Sequence, residues 1–239
     1  MIIHNKFIFA HLTKTGGTFI RQYLRENIQG SIIEMYGKKI EKHAALVTIS
    51  PFVLESRIKF GFIRNPYDFY ISLWSANTTK RAINNRPRRK IWFKDNEIKE
   101  NSNRFIHFLI NEETINVNFF DFPLMHKMDI GVLTYRYLYL YYDHEIFKDQ
   151  NWIRNHKKYK LVDKVLLFEN GLVKELDEIF RQNIFPLDKK QRKVLYNYPQ
   201  KNKSQHGYFM DYYDDETIDL IRHKDRFILK LHYPELLCK

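Results

Sequence analysis

The sequence predicts an α/β fold in which a central, mostly parallel sheet is flanked by helices. Two observations predict it. Short, largely apolar runs recur at residues 7–10, 59–63 and 164–168. Such runs suit strands buried on both faces, as in a parallel sheet. Each is followed by a turn and then by a helical segment, and strand, turn, helix in repetition is the order of a layered α/β fold.

In chain order, Phe7, Ile8, Phe9 and Ala10 predict the first strand. From Thr18 the period changes, and Phe19, Ile20, Tyr23, Leu24 and Ile28 fall on one helical stripe. Ile32 and Ile33 offer a second short strand. Residues 59–63 read as a strand, and Pro66 then stands where a first-turn proline suits a helix. Between about residues 78 and 142 the pattern predicts helices without defining their ends. Residues 164–168 read as another strand, leading to a helix with Leu172, Val173, Leu176, Ile179 and Phe180 on one face. A last helix opens with Asp214, Asp215 and Glu216, which suit the positive end of its dipole. Leu220, Ile221, Phe227, Ile228 and Leu231 continue it as one stripe.

The chain has 239 residues, 44% hydrophobic and 16% aromatic, enough to build one sizeable core. A single domain over residues 1–239 is expected. Eight glycines and seven prolines leave no compositional sign of disorder. The formal charge of +12 implies attraction to anions: nucleotides, acidic glycans, nucleic acid or anionic membrane. The one cysteine, Cys238, excludes an intrachain disulfide framework and is compatible with a reducing, cytoplasmic location. Residues 6–11 are too short for the apolar segment of a secretory signal. The longest apolar-looking stretch, residues 130–142, is interrupted by Arg136 and falls short of the ~20 residues that span a bilayer.

The most informative segment is the first strand-to-helix turn, His11-Leu12-Thr13-Lys14-Thr15-Gly16-Gly17-Thr18. Two glycines let the backbone curl so that successive N–H groups form a nest for an anion. The following helix adds its free N–H groups and dipole. Lys14 places a positive charge beside the nest, and Thr15 and Thr18 offer hydroxyl donors. The lysine precedes the glycines, so this is not the GxxxxGK[ST] loop of kinases and ATPases. A tight αβ connection with a nearby lysine is the bland alternative. The Lys14-to-Thr18 pentapeptide resembles the 5′-phosphosulfate loop of the sulfotransferases that use 3′-phosphoadenosine 5′-phosphosulfate (PAPS), especially those acting on carbohydrates.

A second segment, Phe62-Ile63-Arg64-Asn65-Pro66-Tyr67-Asp68, ends a strand and starts a helix that reaches Ser72. Arg64 offers a planar fork for a phosphate, and Ser72 a hydroxyl. An arginine followed eight positions later by a serine resembles the family's 3′-phosphate signature. A salt-bridging arginine and an ordinary helical serine are the alternative. Residues 165–170 resemble the family's strand and acidic turn. Asn202-Lys203-Ser204-Gln205-His206 resembles its closing loop, in which Lys203 and Ser204 would touch the nucleotide.

The resemblance covers roughly residues 6–76 and 164–233. It implies a P-loop-like sulfotransferase fold, PAPS as co-substrate, no metal, and an acceptor hydroxyl on a carbohydrate, since the matched loop is of the carbohydrate-directed type. The donor would be held by Lys14, Thr15, Gly16, Gly17, Thr18, Arg64, Ser72, Lys203 and Ser204. Residues of about 77–163 carry no family motif and would shape the acceptor site. Lys14 is the candidate for stabilising charge on the leaving oxygen. His43, within a His-Ala segment between the two motifs, is the candidate general base; Glu34 and Glu41 are rivals. His11 is read as ordering the loop and His206 as part of the closing segment.

Residues 80–94 hold seven basic residues and no acid, with Trp92 and Phe93 among them. Arg86, Arg88, Arg89 and Trp92 could hold an anionic glycan; a solvated basic loop is the alternative. No groove-reading motif accompanies them, so specific nucleic-acid binding is not expected. Two other functions stay open: a P-loop-type phosphotransferase or NTPase, and a non-catalytic polyanion-binding protein.

Overall fold

The computed structural model describes residues 1–29, 43–78, 98–111, 121–199 and 206–237. The expected strand at Ile32 and Ile33 lies outside them. The chain forms two compact units, each assembled from two separate stretches. The first comprises Met1–Arg64 and Tyr137–Asn202, the second Asn65–Arg136 and Lys203–Lys239.

The first unit is built on a four-stranded mixed sheet in the order β1 (Ile2–Ile3), β2 (Phe7–Ala10), β3 (Ile58–Ile63) and β4 (Lys164–Leu167). β2, β3 and β4 pair in parallel, while β1 folds back antiparallel on β2. The unbroken apolar runs are explained by helices on both faces. On one face, Phe7, Phe9, Phe60 and Phe62 pack with Phe19, Ile20, Tyr23 and Leu24 of α1 (Gly17–Asn27). Leu176, Ile179 and Phe180 join the same core, from a helical stretch introduced below.

On the other face Gly61 lies against Tyr141, whose hydroxyl donates to the Phe62 carbonyl at 3.0 Å. A β-carbon at position 61 would collide with that ring, so the glycine sets how closely helix and sheet approach. A short helix α2 (Pro51–Glu55) precedes β3, and Lys59 closes the sheet edge by an ion pair to Asp163 at 2.9 Å.

α3 (Pro66–Thr78) opens the second unit. Asn65 starts it: its side-chain oxygen accepts from the Tyr67 N–H at 3.0 Å, and Pro66 fits the first turn, where no N–H is needed. Helices α4 (Ile98–Asn111) and α5 (Phe122–Met128) follow, in the region where the sequence predicts helices without ends. Next comes α6 (Val132–Tyr141), which belongs to the second unit as far as Arg136 and to the first from Tyr137. It accounts for the apolar stretch at 130–142 as a helix buried nearly all round. Among the described residues no helix is long and apolar enough to cross a membrane.

The first unit continues with α7 (Trp152–Tyr159), then α8 (Leu172–Ile179), extended by a wider π turn over Phe180–Ile184, and α9 (Lys189–Asn197). Asp188 and Gln191 cap α9 reciprocally. Gln191 also ties α9 to α1, accepting through its carbonyl from the Tyr23 hydroxyl at 3.1 Å.

The expected single last helix is two, α10 (Asp215–Lys224) and α11 (Arg226–His232), separated at Asp225. Asp225 is fully buried and accepts from the Tyr70 hydroxyl at 2.7 Å and from the Thr134 N–H and hydroxyl at 2.8 and 2.7 Å. The break shifts the phase of the stripe: Phe227, Ile228 and Leu229 are buried, whereas Leu231 is 40% exposed.

Candidate functional site

The three parallel strands end side by side, because Ala10 pairs with Gly61 and Ile63 with Leu167. Whatever leaves their carboxyl ends is therefore gathered at one edge of the first unit, where open α/β sheets bind ligands. Three segments leave there: the loop after β2, Arg64 after β3, and the 3-10 turn Phe168–Asn170 after β4.

The loop is wound by backbone conformation. Lys14 and Gly16 are both left-handed, with φ of 67° and 73°, and Thr15 between them is not. Alternation of hand along successive residues turns their N–H groups toward a common centre, the geometry of an anion nest. Thr15 is fully buried and donates its hydroxyl to the Leu12 carbonyl at 2.8 Å. Its hydroxyl proton is thus spent inside the loop, and what Thr15 can offer an anion is its main chain. Gly16 is the N-cap of α1; it has no side chain to cap the helix, and the first turn carries no acid. The amino end of α1 keeps its positive partial charge for a ligand.

Close packing accounts for both glycines. A β-carbon on Gly16 would strike Leu172, at the start of α8, and one on Gly17 would strike the His11 ring.

Arg64 is 7% exposed and donates from Nη1 to the Lys14 carbonyl at 3.1 Å. Its guanidinium lies over the Phe168 ring, 4.5 Å from the centroid. The loop and the arginine are therefore joined directly. His43 joins them from a separate segment: its Nδ1 is 2.8 Å from the His11 carbonyl, and the two imidazole rings are 4.6 Å apart. A carbonyl oxygen only accepts, so Nδ1 carries the proton and Nε2 is the nitrogen with the lone pair.

Of the residues singled out by sequence, Lys14, Thr15, Gly16, Gly17, Thr18, His43 and Arg64 belong to this cluster of the first unit. His11 orders it, through its carbonyl on His43 and its ring against Gly17. Ser72 lies on α3 in the second unit, fully buried. His206, also in the second unit, has Nε2 3.6 Å from Asp68 Oδ1. Glu34, Glu41, Arg86, Arg88, Arg89, Trp92, Lys203 and Ser204 lie outside the described residues, as does Cys238. No group of three or more metal-ligating side chains occurs among the described residues.

The sequence pattern puts Phe168 in a strand and Leu172 on a helix stripe and carries no sign that they touch Arg64 and Gly16. No protein-family model, curated protein or solved structure matches the chain.

Proposed function

We propose that the chain is a sulfotransferase of P-loop-like fold, moving the sulfuryl group of PAPS to an acceptor hydroxyl on a carbohydrate. The observation that carries this reading is the direct joining of the lysine-bearing anion loop to Arg64 through the Lys14 carbonyl. A donor with phosphate at both its 5′ and 3′ positions needs two separately placed cationic sites held in fixed relation. A lone phosphate loop needs only one.

In the proposed step the acceptor oxygen attacks sulfur, forming the new S–O bond. The bond from sulfur to the bridging oxygen breaks, and its electron pair goes to the 5′-phosphate of adenosine 3′,5′-bisphosphate. Lys14 and the N–H groups around Gly16 and Gly17 stabilise the charge that grows on that oxygen. The acceptor proton passes to His43 Nε2, the imidazole being held by the His11 carbonyl at Nδ1. The excess of cationic residues favours acidic acceptors.

The test is calorimetric titration with adenosine 3′,5′-bisphosphate, ADP and ATP, with and without magnesium. Selective micromolar binding of the bisphosphate, lost in Arg64→Ala, is expected, and a screen of acceptor sugars then follows. ATP binding that requires magnesium would replace this reading with a phosphotransferase. His43→Ala should abolish transfer while keeping nucleotide affinity; equal loss of both would make the residue structural.

A further inference from the structure

One turn in the first unit touches both anion-binding elements. Phe168 lies under the Arg64 guanidinium, and Leu172, four residues on, fills the space against Gly16. The turn follows β4, whose parallel pairing with β3 sets Leu167 beside Ile63 and so brings Phe168 level with Arg64.

Arginine is a long side chain with much rotamer freedom to lose when it is ordered. Here the Lys14 carbonyl takes an edge of the fork, and the Phe168 ring takes a face. The ring fixes the plane in which the guanidinium N–H groups lie. Bidentate phosphate recognition depends on that plane, because the two N–H bonds must point the same way. A phenyl ring packed on a guanidinium face takes up none of its in-plane N–H donors.

Resting on the reading of Arg64 as the 3′-phosphate ligand, we infer that Phe168 is a positioning residue for that arginine. It thereby sets the chain's discrimination between nucleotides with and without a 3′-phosphate. Phe168 need not touch the nucleotide to do this. Leu172 packs against Gly16 of the other element.

The experiment compares wild type, Phe168→Leu and Phe168→Tyr by calorimetric titration with adenosine 3′,5′-bisphosphate and with adenosine 5′-monophosphate. Wild type should prefer the bisphosphate. Phe168→Leu, which keeps apolar bulk but removes the π face, should bind the bisphosphate about tenfold more weakly and the monophosphate unchanged. Phe168→Tyr should restore the preference.

Equal weakening of both nucleotides in Phe168→Leu would mean that the ring only supports the turn, and an unchanged preference would mean that Arg64 does not need it; either overturns the inference. Should Phe168→Leu fail to fold, Phe168→Trp serves instead: the stronger π face must hold or raise the preference, and a lowered one overturns the inference. If wild type itself does not discriminate, the 3′-phosphate reading of Arg64 fails first, and the role of Phe168 falls with it.

Discussion

Lys14 holds a left-handed backbone that costs a non-glycine residue about 1–2 kcal/mol. The hydrogen bond from Arg64 to its carbonyl helps hold it there. Strain and charge can be separated by two substitutions. Lys14→Gly relieves the backbone and removes the ammonium; Lys14→Ala removes the ammonium alone. The glycine variant should be the more stable of the two by about 1 kcal/mol in denaturant unfolding. Both should lose transfer by orders of magnitude. Near-normal turnover in either would take the ammonium out of the chemistry. At this scale much of the site was legible: Lys14 and Arg64 stand in local motifs, and glycines announce a turn. Phe168 was not, because a ring beneath an arginine about a hundred positions away leaves no local pattern.

Among the elements, β2 and the last four residues of β3 were legible because burial on both faces selects apolar residues without alternation; β4 carries the same apolar run although it is only partly covered. β1 was not, since two residues carry no period. The break between α10 and α11 was hidden for a different reason. Asp225 looks like one polar residue on a helix, and only its partners Tyr70 and Thr134 reveal a buried carboxylate that ends one helix and steadies the start of α6.

A second aspartate makes an element-scale prediction. Asp129 caps α5 in a left-handed conformation and meets Lys224 and Arg226 at 2.8 and 2.9 Å. Burial works to raise its pKa, but hydrogen bonds from Lys224 and Arg226 outweigh it and bring the carboxyl down to about 2. A depressed native pKa stabilises the fold above the unfolded value near 4 and loses that contribution as pH falls toward 2. Asp129→Asn keeps the backbone preference. It should unfold more easily than wild type above about pH 4, with the gap closing toward pH 2. The cluster is partly exposed, so the gap should be small. A gap independent of pH would show that the charge contributes nothing.

For the molecule as a whole, 40 basic against 28 acidic residues make an anion's approach a long-range matter. The association rate of adenosine 3′,5′-bisphosphate, followed by stopped flow, should fall by about tenfold between low and physiological salt. That of uncharged adenosine should not change. A salt-independent rate for the bisphosphate would confine the electrostatics to the site itself.

The alternation of the two units along the chain has a consequence for biosynthesis. Lys59 and Asp163, which close β3 against β4, are 104 positions apart, and most of the intervening residues belong to the other unit. On the ribosome, β2 and β3 can pair early, but the outer edge of β3 then waits for β4 to emerge. At roughly 5–20 residues per second that wait lasts several seconds or more. Until then Phe60, Gly61, Phe62 and Ile63 form an apolar edge open to pairing with another nascent chain. Neither unit can be produced by simple truncation, and slower translation lengthens the time during which this edge needs a chaperone.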